Sequence, residues 1–232
     1  MVTYDQFKVN YEGVQARIRQ ACAQCGRNPA SVRLLPVTKT NPVEAAIWAY
    51  QSGIRSVAEN RVQEAESKRP SAPAELRWEL IGHLQSNKAK QALQVFDVLQ
   101  TVDSAELVVR LGRLAAELGL VREIMLQVNS GHDPAKFGCD LTEAPRLLEA
   151  AMAQPALRVT GLMAVAPLSD DPAVAEQTFT NLRQCRDTLA ASFGVALPEL
   201  SMGMSGDLES AVAAGSTCLR IGSALYGSRS SA

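Results

Sequence analysis

Eight short apolar runs alternate with longer helical patterns along this chain, and that alternation constrains the fold more than any other feature. The runs are 33–39, 54–58, 77–82, 97–102, 123–129, 158–165, 199–204 and 217–222. Helical patterns fall at 3–24, 42–52, 60–68, 87–95, 104–118, 142–153, 172–193 and 207–214. Several helix starts are written in the sequence. Asp103 and Glu106 have capping-box spacing, and Asp171–Pro172 reads as a cap followed by a first-turn proline. A helix between each consecutive pair of strands predicts a parallel sheet with right-handed crossovers. Eight such units in 232 residues predict an α/β fold, a closed (β/α)8 barrel of the TIM type; an open doubly wound sheet is the alternative. The helix at 3–24 is an addition to that plan. No Gly/Ser-rich or Pro-rich linker divides the chain, so one domain is expected over 1–232, with 1–30 as its N-terminal helix extension.

Within this frame "LLPVTKTNP", residues 34–42, raises a question. Side chains alternate along a strand, so Leu35, Val37 and Lys39 share a face. Asn41, Pro42 and Glu44 then read as cap, first helical residue and capping-box partner. Lys39 is therefore predicted at the C-terminal end of a buried strand. A lysine is costly there unless something uses it.

In a (β/α)8 barrel the reactive groups gather at the C-terminal strand ends, and the loops after strands seven and eight often bind phosphate. Those two ends read "MGMSGD" and "RIGSALYG". Ser205 and Gly206 precede one predicted helix, and Gly222 with Ser223 offers the same chemistry after strand eight. Glycine permits close backbone approach, and serine adds a hydroxyl donor. Asp207 competes with an anion there unless it points away. Taken alone, these are best read as ordinary loops capped by serine. Arg220 changes the balance. In "TCLRIG", Cys218, Arg220 and Gly222 lie opposite Thr217, Leu219 and Ile221, which puts Arg220 inside the barrel near its top. A buried arginine needs a partner: a salt bridge to Glu59 or Asp207, or a ligand ring or phosphate. An inward lysine, an inward arginine and a two-loop phosphate cradle suit pyridoxal 5′-phosphate. That cofactor needs an amine for its aldehyde, and burial favours the neutral, nucleophilic amine.

Seven stretches, in order, resemble the pyridoxal phosphate homeostasis proteins, small relatives of the N-terminal barrel of alanine racemase. They are "LLPVTKT" (34–40), "GIRSVAENRVQE" (53–64), "LRWELIGHLQSNK" (76–88), "KFG" (136–138), "GLMAVAP" (161–167), "LSMGMSGD" (200–207) and "RIGSALYG" (220–227). The resemblance implies that Lys39 carries the cofactor as a Schiff base. It implies that Ser205, Gly206, Gly222 and Ser223 hold the phosphate, that Arg220 lies by the pyridine nitrogen, and that Asn60 lies near the ring. The sequence departs from the family at His83, where proline is usual, at Ser223, where threonine is common, and at Tyr226, where phenylalanine is common. Ser223 keeps the hydroxyl. His83 is read as a loop histidine at the mouth of strand three, and Lys136 as a solvated lysine able to catch released cofactor.

The resemblance implies a non-catalytic protein that buffers or carries pyridoxal phosphate in intracellular vitamin B6 homeostasis. An arginine at the pyridine nitrogen leaves the ring a poor electron sink. Alanine racemase works with an arginine there but adds a tyrosine from a second domain as the opposing base, and a chain stopping at Ala232 is expected to lack one. Tyr226, the tyrosine nearest the site, reads as a packed aromatic. Two alternatives stay open: a Schiff-base enzyme on the same barrel, either a weak amino-acid racemase or a class I aldolase, and an interaction protein that passes its cofactor to apo-enzymes. A net charge of -1 gives no electrostatic case for nucleic acid or an anionic membrane, and the longest apolar runs fall short of a bilayer span. A cytoplasmic monomer is expected. Five scattered cysteines form no disulfide framework. "CAQC" at 22–25 has no second pair at zinc-like spacing, so no metal site is expected, and it reads as two ordinary thiols.

Overall fold

The computed structural model describes residues 2–227. The eight predicted strands form at Arg33–Pro36 (β1), Ser56–Glu59 (β2), Arg77–Leu80 (β3), Val98–Val102 (β4), Arg122–Gln127 (β5), Leu157–Met163 (β6), Glu199–Ser201 (β7) and Cys218–Ile221 (β8). They pair in parallel in the order β1-β8-β7-β6-β5-β4-β3-β2. The two ends of that order meet. Val37 bridges Ala58, and the Thr38 amide donates to the Ala58 carbonyl at 2.9 Å. That closure makes the sheet a barrel and removes the open doubly wound alternative.

The helices are Tyr4–Gln24 (α1), Glu44–Gln51 (α2), Val62–Lys68 (α3), Ala89–Val95 (α4), Ala105–Glu117 (α5), Ala144–Met152 (α6), Pro172–Phe193 (α7), Leu208–Ala213 (α8) and Ser223–Tyr226 (α9). Asp171 caps α7 as its sequence predicts, accepting from the Ala173 amide at 3.0 Å. Two predicted starts are corrected. Ser104 rather than Asp103 caps α5, accepting from the Leu107 amide. Asn41 does not cap α2, because its side-chain amide donates to the Lys39 carbonyl at 3.1 Å and the helix starts at Glu44.

The alternating faces hold as expected. Leu219 and Ile221 join the large core between barrel and helices, while Leu35, Val37, Ala58 and Cys218 pack inside the barrel. Val98, Met125 and Met163 form a second interior cluster. Helix α1 is more than an addition. Its Phe7, Val14 and Ile18 recur at helical spacing and are buried. The Phe7 ring lies 5.4 Å from the Tyr226 ring and 6.1 Å from the Trp48 ring, so aromatic packing fixes α1 to α9 and α2.

The thiols are not paired. Cys22 is buried and Cys25 exposed, and burial pushes the Cys139 and Cys185 thiols up to about 12 and about 11, which makes them unreactive near neutrality. Among the described residues no group of three His, Cys, Asp or Glu side chains is placed to hold a metal ion, and no helix is long and apolar enough to cross a membrane.

Candidate functional site

A cavity of about 610 Å³ opens at the C-terminal ends of the strands. Its wall brings together Lys39, Ser205, Gly206, Arg220, Gly222 and Ser223, which are scattered over the sequence from one end of the barrel to the other. Of the expected site residues, Asn60 alone does not line it. The Asn60 carbonyl instead packs against Gly82, where any Cβ would lie 2.1 Å from that oxygen. This close approach requires glycine between strand β3 and its loop. The buried Oδ1 of Asn60 accepts no hydrogen bond among the described residues.

Lys39 sits in a turn, not in the strand. The ladder of β1 ends at Pro36. Beyond the Val37 bridge the Thr38 amide still reaches a neighbouring strand, at Ala58 of β2, and Thr38 and Thr40 also bond to side chains of β2 and α3. Thr38 donates its hydroxyl to Glu59 at 2.6 Å, and its carbonyl accepts from Lys68 Nζ at 3.0 Å. The Thr40 amide donates to Glu64 at 2.8 Å. Lys39 itself is half-buried at the cavity wall.

Arg220 is only 4% exposed. The expected salt bridge to Glu59 or Asp207 does not form. Its guanidinium donates to Ser201 Oγ at 2.8 Å and to the Ala164 carbonyl at 2.7 Å, both neutral. Burial pulls its pKa down from the ordinary guanidinium range, with Asp207 among the groups that oppose the shift. It stays protonated all the same, and two of its five N–H donors are used in these bonds. Ser201 in turn donates to Gln100 at 2.6 Å, Gln100 donates to Glu79 at 2.6 Å, and Arg33 donates to Glu79 at 2.8 and 3.2 Å. A polar chain thus crosses the barrel interior from the start of β1 to the cavity. Alternation along the strand shows the parity of Arg220 but not this chain.

The loops after β7 and β8 are tied to one another and to α1. Ser205 does not cap α8; its hydroxyl accepts from the Ala224 amide at 3.2 Å, joining the two loops. Asp207 turns back on its own loop and accepts from the Met204 amide at 2.5 Å. Arg17 of α1 grips the same loop, donating to the Ser205 carbonyl at 3.1 and 3.2 Å and pairing with Glu209 at 2.8 Å. Gly206 faces open space, so the backbone there is approachable.

His83 does not line the cavity. Its ring stacks on Phe137 with centroids 3.9 Å apart and planes at 11°, and Nδ1 lies 3.7 Å from Asp103. It ties the β3 loop to the segment that carries Lys136, which does reach the cavity wall. Tyr226 lines the cavity but donates its hydroxyl to the Ala45 carbonyl at 3.0 Å, and burial pushes the phenol well above its ordinary pKa.

A family model described as alanine racemase, N-terminal domain, matches residues 9–230. A pyridoxal phosphate homeostasis protein of Pseudomonas aeruginosa is 38% identical over 221 residues, covering 95% of this chain and 94% of the relative. The solved structure of PipY from Synechococcus elongatus with pyridoxal phosphate bound superposes with a TM-score of 0.80 at 37% identity, covering 91% of this chain and all of that one (100%). An unknown protein from Bifidobacterium adolescentis superposes with a TM-score of 0.90 at 34% identity, covering 97% and 98%.

Proposed function

We propose, from the premise that this chain belongs to the pyridoxal phosphate homeostasis protein family on the alanine racemase N-terminal-domain fold, that it binds pyridoxal 5′-phosphate and buffers or carries it without catalysis. The residues at the cavity suit that cofactor. Gly206 leaves space beside the backbone, Gly222 packs against Val37 with room for no more than a Cβ, and the Ser205 and Ser223 hydroxyls stand at the same wall. In this reading Ser205, Gly206, Gly222 and Ser223 hold the phosphate, Lys39 holds the aldehyde carbon through its amine, and Arg220 donates to the ring nitrogen. Asn60 stands outside the cavity wall in this reading.

Bound pyridoxal phosphate supplies an electrophilic aldehyde on a ring that can withdraw electrons. The observation that carries the non-catalytic reading is Arg220. A buried guanidinium donates a hydrogen bond but gives up no proton, so it leaves a ring nitrogen unprotonated and the ring a weak electron sink. The side chains that could act as a second base are poorly placed. The Tyr226 hydroxyl is engaged by Ala45, and His83 is held against Phe137 outside the cavity. General acid–base help from a placed residue is worth ~10²–10⁴-fold, so its absence weighs against the racemase alternative.

The test is to load the purified chain with pyridoxal phosphate, record the visible absorption that a lysine-linked cofactor gives, and incubate it with L- and D-alanine in deuterated water. The expected result is a yellow protein with no exchange at the α-carbon above that of free cofactor. Rapid exchange abolished by His83→Ala replaces the carrier reading with a racemase-like enzyme, and a colourless protein that takes up no cofactor supports an aldolase.

The phosphate cradle has its own prediction. A hydrogen bond to a charged group contributes ~1.5–3 kcal/mol, so Ser205→Ala raises the dissociation constant for pyridoxal phosphate roughly 10- to 100-fold by equilibrium dialysis. The melting temperature of the cofactor-free protein moves little, because the Ser205 hydroxyl accepts from a single amide, that of Ala224 in the first turn of α9, at 3.2 Å and does not cap α8. Equal affinity in the variant and the parent removes Ser205 from the cradle.

A further inference from the structure

Behind the Lys39 turn, on the barrel's outer side, lies a buried charged group that the proposed binding chemistry does not use. Lys68, at the end of α3 and 9% exposed, donates to Glu59 at 2.6 Å and lies 3.7 Å from Glu64. Each member of this trio is also bonded to a residue that flanks Lys39. Glu59 accepts the Thr38 hydroxyl, Lys68 donates to the Thr38 carbonyl, and Glu64 accepts the Thr40 amide. Thr40 has φ of 61°, a left-handed conformation that a β-branched residue adopts at a cost and only where its surroundings impose it. The amide of that residue donates to the Glu64 carboxylate at 2.8 Å.

We propose that Lys68, Glu59 and Glu64 are positioning residues, a charged clamp on Thr38 and Thr40 that fixes the Lys39 backbone so that its amine is presented to the cavity; this rests on Lys39 being the attachment point. Burying charge for stability alone is a poor bargain, since apolar residues of similar volume do as well. What charge provides at this place is direction: three side chains aimed at three backbone or hydroxyl groups of one turn. Burial drives the Glu59 carboxyl up to about 7, and Lys68 and the Thr38 hydroxyl work against that shift. In the reaction so served, the lysine nitrogen adds to the aldehyde carbon, and its two protons leave with the carbonyl oxygen as water. Misplacing an attacking atom by about 1 Å costs up to ~10²-fold in rate.

The experiment compares Lys68→Met, Glu64→Ala and Glu64→Gln with the parent chain. The rate of borohydride-trapped attachment of pyridoxal phosphate at Lys39 is read by peptide mass. The affinity of pyridoxamine 5′-phosphate, an amine that cannot condense with a lysine, is read in parallel. Lys68→Met and Glu64→Ala should slow attachment about tenfold or more, while Glu64→Gln, which keeps an oxygen for the Thr40 amide, stays within about threefold. Pyridoxamine phosphate affinity should change by less than about twofold in all three, because the clamp touches no phosphate-holding loop. Unchanged attachment in Lys68→Met, a parallel loss of both readouts, or equal damage from Glu64→Gln and Glu64→Ala overturns the proposal. Reductive methylation of Lys39 by formaldehyde, followed by mass, separates the two readings. If the parent takes up no pyridoxal phosphate, the cofactor reading fails, and the clamp is then judged by whether Lys39 methylation slows in the same variants. Should Lys68→Met not fold by circular dichroism, Lys68→Arg and the Glu64 pair decide the matter, with Lys68→Arg expected to retain attachment.

Discussion

Replacing Lys39 with alanine reduces borohydride-stable attachment of pyridoxal phosphate to background, and replacing it with arginine does the same. The second variant matters because arginine keeps the positive charge and lacks a nucleophilic amine. Two lysines, Lys39 and Lys136, line the cavity, so the sequence argument that sets Lys136 in a solvated loop is not sufficient by itself. The structure separates them by their settings. Lys39 follows strand β1, in a turn fixed on both sides by Thr38 and Thr40, whereas Lys136 lies in the 131–138 loop beside the exposed Phe137. A nucleophile held in one place reacts faster than one that must be found by diffusion of a long side chain. Peptide mapping of the reduced parent protein checks this. A dominant adduct at Lys136 assigns attachment to the wrong side of the cavity and dismisses the reading of Lys39. The Lys39→Ala chain should still retain pyridoxal phosphate weakly through the Ser205 and Ser223 loops, with a fast off-rate and without the absorption band of the lysine-linked cofactor.

The largest loss of stability from a single change of charge is expected at the other end of the barrel. Arg33→Met removes the one cation bonded to Glu79 among the described residues; the Glu79 side chain is 2% exposed, and the change leaves the carboxylate with Gln100 as a donor. Breaking a buried pair by deleting one partner costs about 3–5 kcal/mol; because the Arg33 side chain is 35% exposed and water can reach the gap, about 3 kcal/mol is expected here. Urea unfolding measures it. The double variant Arg33→Met, Glu79→Gln should recover a large part of the loss, since position 79 then carries no charge, although Glu199, which also pairs with Arg33 at 3.2 Å, still loses its partner. A single variant within about 1 kcal/mol of the parent, the central tendency for ordinary substitutions, shows that the interior chain contributes little.

Much of the fold and part of the site are legible in the residue order alone. The eight strands and the eight helices stand where their periodicities put them, within a few residues at each end. The differences at the ends have local causes. At Asn41 a side-chain amide finds the Lys39 carbonyl instead of a helix amide, and at Ser104 a hydroxyl takes the cap that Asp103 is spaced to fill. The inward parity of Arg220 is readable because alternation along a strand depends only on neighbours, whereas Lys39 reaches the cavity wall from a turn beyond the end of β1. Asn60 is harder to place from the sequence, because the residue after a strand points wherever its loop turns, and here its backbone is pressed against Gly82.

What the sequence determined by itself is therefore what repeats locally: strand, helix, buried face, and the order in which seven short stretches follow one another. What only the tertiary structure decided is which of those faces meet. Gln100 and Ser201 hydrogen-bond across 101 residues of chain, Arg17 reaches the Ser205 carbonyl across 188, and Lys68 reaches Thr38 across 30. No periodicity encodes such pairs. A polar side chain on a strand or helix reports its face, but its partner is fixed by barrel closure, by the bulges that shift register in β4 and β5, and by the seat that α1 finds on α8 and α9. The cost of an unpaired buried polar group then selects among the partners that closure brings within reach. The cavity, the chain of donors behind Arg220 and the clamp behind Lys39 all come from that second step.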